Sequence, residues 1–557
     1  MAVDTSIKEK FRFERKIAGI HIGFALAMLS VGLLYGPLQA LEQAGINLYY
    51  LVPWTKTYYQ GLTTHGVLNA EVFTTFFITG FLTYIVTRAL NRPIRYQWIS
   101  ILGAVLMIGG VLLAAVPLFA DWATVLYTFY PPMKASPLFY IGVTVMVIGS
   151  WVVGYSLYFT LAAWYKENPD KRVPLAAMSG VITMIMWQIC TLGVAAEELT
   201  MLIPFSLGWI KGVDVQLARD FFWFTGHPLV YFWLLPAYVS WYTMVPKLAG
   251  GKLFSDPMAR LAFWLFLLLS IPTGFHHQFA DPGVAAGWKY IHAILTYGVF
   301  FPSLLTAFNL WASLYIAGHR RGGTGMFAWI LKLPWGKPEL TAQLLAAILF
   351  IFGGAGGLIN ASYNMNLVIH NTAWIPGHFH LTVGSAVTLT FIGITYWLLP
   401  HLTGRKLFTR KWALAQVWLW FSGMTIFSRG MHLMGLLGAP RRTMLGSAVR
   451  AQLYYNPDWK VPLLFTAVGG TILFLSYIAL LVVWIGTVFF GEKLSDEEIP
   501  DVPFADAVSP PEAAPDWLLH WKPWLAATVA LILIAYGPML FEAIRTAEFI
   551  SPGFVVW

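Results

Sequence analysis

The sequence predicts an all-α polytopic membrane protein of about 13 transmembrane helices, with its N-terminus cytoplasmic and its C-terminus outside. Three observations predict it. First, 58% of the residues are hydrophobic and only 11% are charged, less than half of the roughly 25% charge that a soluble domain carries. Second, the chain contains repeated stretches of the ~20 mainly apolar residues that a bilayer core demands. Third, Lys and Arg are unevenly shared between alternate loops. The 35 Lys+Arg and 26 Asp+Glu residues could not cover one or two water-soluble domains. The same composition excludes a disordered, collagenous or nucleic-acid-binding chain.

Taken in order, the spans fall near 17–40, 58–87, 97–120, 137–165, 174–204, 215–244, 259–280, 287–318, 338–361, 372–400, 412–438, 461–490 and 523–546. The opening MAVDTSIKEKFRFERK is charged without an apolar core, so it does not read as a cleavable signal peptide, and the first span itself directs insertion. Later spans alternate with short loops that leave no room for a separate soluble domain. The longest polar segment, 491–522, carries DEE and several prolines and reads as a cytoplasmic loop. The chain is therefore one unit, 1–557, with the bundle over 17–546. No fixed-period repeat or low-complexity tract interrupts it.

Orientation follows from the loop charges. The N-terminus and even-numbered loops hold 24 Lys+Arg, the odd-numbered loops and C-terminus hold ten, and Arg429 falls inside span eleven. Basic residues stay in the cytoplasm. The net charge of +9 is thus a topology signal and implies a lipid bilayer rather than a nucleic acid as partner. One outer loop breaks the trend with Arg441, Arg442, Arg450 and Lys460, which asks for an anionic partner. The single cysteine, Cys190, excludes an intrachain disulfide and a two-thiolate metal centre.

Six of the 13 histidines lie well within spans: His65, His227, His276, His277, His378 and His380. Ionisable groups inside a bilayer are costly and mark function, although a lone intramembrane histidine is more often a hydrogen-bonded packing residue. Here six fall on four spans. His378 and His380, in TAWIPGHFHLTVGS, project about 200° apart on a helix, so they serve two centres on opposite sides. His65, in TTHGVLNAEVF, can supply the second axial ligand of one of them. An iron with two histidines is full and suits electron transfer, whereas one histidine leaves a face open for a gas. In FTGHPLVYFW, His227 and Tyr231 share a helix face by i,i+4 spacing. With His276–His277 in TGFHHQFADPG, they offer three imidazoles without thiolate or carboxylate, a donor set that suits copper. The pair alone could equally be a helix end satisfied by carbonyls.

The set GHPLVY, HH and HFH, with an upstream HG on span two, resembles subunit I of the haem–copper oxidase superfamily. The fragments YQGLTTHGVLNA, TVLYTFYPP, GKLFSDPMARLAF and NTAWIPGHFH are similar to its type-B branch, the ba-type cytochrome c oxidases, over nearly the whole chain. The resemblance implies His65 and His380 as ligands of a low-spin haem of B type. It implies His378 as ligand of a high-spin haem of A type or a variant, and His227, His276 and His277 as holders of one copper, Cu(B). Tyr231 then occupies the position of a tyrosine covalently joined to a copper histidine, here His227, which can give the missing electron and proton in splitting dioxygen. Arg441 and Arg442, in GAPRRTM, match arginines that pair with haem propionates, and His370 and Asn371, in VIHNTAW, fall on that side.

The same resemblance implies the catalytic subunit of a proton-translocating terminal oxidase in a prokaryotic cytoplasmic membrane. Its partners would be a subunit II carrying a dinuclear copper site, cytochrome c or a similar donor, and a small single-helix subunit. A proton path would run through Tyr231, Tyr238, Tyr242, Ser303, Thr306 and Asn309, although membrane helices also use Ser and Thr as packing glue. Several positions depart from the family patterns. Leu229 stands where the type-A motif has glutamate, the span-eight lysine of that branch has no counterpart, Asn309 replaces a hydroxyl and Asn366 an acid, and Glu71 replaces an apolar residue. Glu197 and Glu198 acquire no role. The alternatives are a nitric oxide reductase of the same superfamily and a proton-coupled permease.

Overall fold

The computed structural model describes residues 5–446 and 456–555. Among them run thirteen long helices at the positions expected for the spans. They are α1 (Arg12–Gln43), α2 (Tyr58–Ala89), α3 (Gln97–Phe119), α4 (Pro137–Glu167), α5 (Leu175–Ser206), α6 (Val215–Thr243), α7 (Asp256–Ser270), α8 (Ala286–Arg320), α9 (Pro338–Ala361), α10 (Trp374–Thr403), α11 (Arg410–Leu436), α12 (Pro457–Phe490) and α13 (Trp521–Thr546). Ten are long and apolar enough to cross a membrane by themselves. The other three are α6, α7 and α11. Both α6 and α11 are long but carry polar residues such as Asp220, His227, Gln416 and Arg429.

Helix α7 differs from the expected span 259–280. It stops at Ser270, because Pro272 has no N–H for an i→i−4 bond. The chain then tightens into a 3₁₀ turn over Gly274–Gln278 that carries His276 and His277. Two π-turns adjoin the other histidines. Val67–Phe73 follows His65 in α2, and Thr382–Val387 follows His380 in α10. Such widened turns re-aim side chains and recur at functional sites.

Close helix approach explains much of the packing. Helices α3 and α4 run together through Gly103, Gly110, Gly142 and Gly149; a Cβ on Gly110 would come within 2.5 Å of the Gly142 carbonyl. Helices α11 and α12 pair likewise. The polar segment 491–522 is tied down. Ala507–Ser509 forms a short parallel pairing with Leu253–Ser255. Arg88 meets Asp501 at 2.8 Å, and Arg172 donates to the carbonyls of Pro511 and Ala514 at 2.6 Å. Arg450, of the basic outer loop, lies outside the described residues.

Candidate metal centres

The helices enclose a cavity of about 640 Å³, lined by Tyr231, His227, His276, His277 and His378 among others. His227 comes from α6 and the other two copper-type histidines from the 3₁₀ turn. Together they place one ligand atom each within 4.8 Å of one another. Nδ1 of His227 and Nε2 of His277 are 3.2 Å apart. Two nitrogens held at about 2 Å from one ion at a tetrahedral angle are separated by roughly 3.3 Å, so the pair fits a shared metal. The Nδ1–H of His276 is taken by the Thr273 carbonyl at 2.6 Å, with the Thr296 hydroxyl at 3.0 Å. That contact fixes the tautomer and leaves Nε2 as the donor. Trp223 stacks on His277 at 3.9 Å and 8°, holding its plane.

Tyr231 sits one turn beyond His227, ring centroids 5.1 Å apart. Nε2 of His227 has no hydrogen-bond partner. It is therefore the ring atom left over for the tyrosine once Nδ1 faces the triad.

His65 and His380 face each other with ring centroids 6.4 Å apart and planes within 17°. Two imidazoles bound through one nitrogen each, at about 2 Å on either side of an ion, have centroids roughly 6 Å apart. Nδ1 of His65 lies 2.9 Å from the Gly32 carbonyl, and Nδ1 of His380 lies 2.7 Å from that of Pro376. Both rings therefore present Nε2. This arrangement fits a bis-histidine iron. His378 lies on the other side of α10, in the cavity with the triad. Gly356 of α9 backs it so closely that a Cβ there would sit 2.5 Å from His378 Nδ1.

Beyond these rings lies a basic rim. Arg441 donates through Nε and Nη2 to Asn371 Oδ1, at 3.1 and 2.8 Å. Arg442 donates to the Thr128 hydroxyl at 3.1 Å, lies over the Tyr127 and Tyr130 rings, and leaves Nη2 unpartnered. Burial and the adjacent Arg442 bring Arg441 down to about 10. Burial, with Arg441 nearby, brings His370 to about 4. Two guanidiniums held side by side at this cost form a binding place for anions.

Of the expected proton path, Tyr231, Tyr238, Ser303 and Thr306 line the cavity. Tyr242, fully buried, donates to the Thr306 hydroxyl at 2.6 Å. Asn309 is otherwise engaged: its amide donates to the Ser255 carbonyl at 2.8 Å and accepts from its N–H at 3.1 Å. Asn366 donates to the Asn360 carbonyl at 2.8 Å. Arg429 is exposed. Glu197 and Glu198 are buried with no hydrogen bond to any carboxylate oxygen, and Glu71 lines the cavity.

Sequence reasoning missed Thr273, Thr296 and Trp223, which hold the copper-type histidines. Trp223 stands i−4 from His227, a legible signal. The two threonines act through a turn that no periodicity announces.

A family model described as Cytochrome C and Quinol oxidase polypeptide I matches residues 16–472. Cytochrome c oxidase subunit 1 of Thermus thermophilus is 46% identical over 562 residues, spanning 98% of this chain and 97% of its own. The protein of the same name from Thermostichus vulcanus is 26% identical, over 85% and 83% of the two chains. A heme-copper terminal oxidase dimer solved by cryo-EM superposes with a TM-score of 0.91 at 38% identity, covering 100% of this chain and 96% of that one.

Proposed function

This chain belongs to the cytochrome c and quinol oxidase polypeptide I family, and on that premise we propose how its residues divide the work of a terminal oxidase. It is the catalytic subunit of a respiratory haem–copper oxidase, a multi-pass membrane protein that reduces dioxygen to water with electrons from cytochrome c. It works with a subunit II. We assign to that partner a dinuclear copper entry site, and we add a small single-helix subunit and a prokaryotic cytoplasmic membrane with the N-terminus inside. The haems are taken as B type at the low-spin site and A type or a variant at the high-spin site.

When bound, two haems and one copper carry electrons inward and bind and split dioxygen. His65 and His380 would hold the electron-transfer iron, and His378 would hold the second iron. His227, His276 and His277, which share the cavity with His378, would hold the copper. Thr273 and Thr296 keep His276 in the tautomer that ligates. Tyr231, whose ring lies 5.1 Å from that of His227, would be joined to its Nε2 and would give the phenol proton and one electron to the dioxygen being reduced. Tyr242 and Thr306, already hydrogen-bonded at 2.6 Å, begin the row that returns the proton from the cytoplasmic side through Ser303 and Tyr238. Arg441 and Arg442, with His370 and Asn371, receive the propionates on the outer side. Asn309 braces the 253–255 strand at the mouth of this row.

One observation carries the reading: three imidazoles within 4.8 Å of one another share a cavity with His378, while His380, two residues on, faces His65 at iron-spanning distance. Iron and copper per polypeptide in the purified complex test it. Two irons and one copper in this chain, with oxygen uptake from reduced cytochrome c, are expected. Three irons without copper would move the chain to nitric oxide reduction, and neither metal in folded protein would overturn the reading.

A further inference from the structure

One helix face of α6 carries Gln216, Asp220, His227, Tyr231, Tyr238 and Tyr242 at successive steps of 4, 7, 4, 7 and 4 residues. At ~100° per residue these steps keep all six within a wedge of about 80°. The inner half of the stripe is the row of tyrosines already described. The outer half carries a carboxylate, Asp220, two turns and about 10 Å beyond His227, and ends one turn further on at Gln216.

Asp220 is fully buried. Its Oδ1 accepts from Nε2 of Gln278 at 2.7 Å and from Nε2 of Gln216 at 2.8 Å. Its Oδ2 has no partner, and neither has Oε1 of Gln278. Two acceptor oxygens are thus left bare on two buried side chains that are already joined by a hydrogen bond. Leaving both unpaired is costly in an interior. One proton resolves both. Placed on Asp220 Oδ2 and donated to Gln278 Oε1, it closes a carboxylic acid–amide ring in which every polar atom is used. The surroundings allow the proton to leave as well as to stay. Arg219 is spent on Asp281 at 2.8 Å. The groups that face Asp220 are Asp214 at the start of α6, Asp281 before α8 and the Tyr536 hydroxyl of α13. That hydroxyl is itself saturated between Ile271 and Gly274.

We propose that Asp220 is a proton-holding carboxylic acid on the outer side of the copper-type triad, coupled to it through Gln278, the residue that follows His277. The O–H bond at Oδ2 forms with a proton arriving from the side of the metal site. It breaks toward the outer end of the stripe, at Gln216, leaving a carboxylate that two amides still solvate. This rests on the oxidase reading above and assigns to α6 a proton route on both sides of the metals.

The test uses the complete oxidase in sealed vesicles, comparing wild type with Asp220→Asn and Asp220→Glu. Proton release outside per electron, oxygen uptake and redox-difference infrared spectra are recorded together. The expected result is a carboxylic C=O band that shifts in D₂O in the wild type and is lost in Asp220→Asn. Outward proton release should fall at least twofold while haem bands and copper content hold, and Asp220→Glu should restore release. An unchanged ratio and band in Asp220→Asn would overturn the proposal. So would loss of copper in Asp220→Asn, since Asp220 would then be only a tether for the 274–278 turn. A wild-type complex without oxygen uptake would instead remove the oxidase reading.

Discussion

Substituting Gly356 by alanine tests whether His378 is a ligand or a packing residue. The new Cβ would lie 2.5 Å from His378 Nδ1, and ordinary contact needs about 3.4 Å or more, so the ring must retreat by about 1 Å. A histidine that merely packs can turn away cheaply. One bound to iron cannot move that far and keep its bond. Misplacement of a reacting group by 1 Å costs about 10²-fold in rate, and that is the fall in oxygen uptake expected for Gly356→Ala. The helix itself should not suffer, since alanine is favoured over glycine by up to about 1 kcal/mol in a helix interior. The optical bands of the low-spin haem, assigned above to His65 and His380, should stay. The five-coordinate signature of the reduced high-spin haem, and its carbon monoxide binding, should weaken. Gly354→Ala is the control, because its Cβ meets only the Phe350 ring at 4.0 Å. Wild-type turnover and carbon monoxide binding in Gly356→Ala would refute ligation by His378.

Other substitutions separate the remaining parts of the site. His276→Ala should lose copper by elemental analysis and abolish turnover while the low-spin haem spectrum remains; disappearance of both haems would instead mean misfolding. Tyr242→Phe removes the 2.6 Å bond to Thr306 and should slow turnover by about 10²-fold, with an enlarged effect in D₂O; an unaltered rate would take Tyr242 out of the proton path. Arg442→Gln withdraws a cation from the rim and should shift a haem midpoint potential in a redox titration, by about 60 mV for each 1.4 kcal/mol lost. At the start of α7, the buried Asp256 pairs with Arg260, which also donates to the Val173 carbonyl at 2.9 Å. Asp256→Ala should therefore cost about 3–5 kcal/mol, read as a lower unfolding midpoint with haem spectra intact below it.

The legible parts of this chain share a reason: they are repeated by a regular helix. Spans announce themselves through composition, and His227–Tyr231 or His378–His380 through helical spacing alone. What stayed hidden depends on departures from regularity. The end of α7 at Ser270, the turn that aims His276 and His277, and the π-turns after His65 and His380 set directions that no period encodes. Carbonyl partners such as Gly32, Pro376 and Thr273 are invisible for a different reason. Any residue supplies a carbonyl, so nothing in the sequence marks the ones that fix a tautomer. Asn309 shows the converse: it is expected in the proton path in place of a hydroxyl, but its amide is spent on Ser255.

The division between α6 and α10 follows from the same geometry. Residues two apart point to opposite sides of a helix, so α10 can serve two irons at once and separates them by its own width. Residues four and seven apart stay on one side, so α6 lines up groups toward one metal from both ends. A helix of the first kind suits electron transfer between two fixed centres, because it packs each ligand from a different side. A helix of the second kind suits proton movement, because its side chains stack along the membrane normal. The π-turn at Thr382–Val387 lets α10 resume packing after His380 without disturbing either ring. A single-residue deletion within that turn should restore regular α-helix, taking the carbonyls that the turn frees back into the i→i−4 ladder and drawing the helix beyond it by about 1.5 Å toward His380. Trp420 donates to the Gly384 carbonyl at 3.0 Å, so that contact and the low-spin haem spectrum should be lost together. Retention of the spectrum in a folded deletion variant would mean that the turn is incidental to the haem.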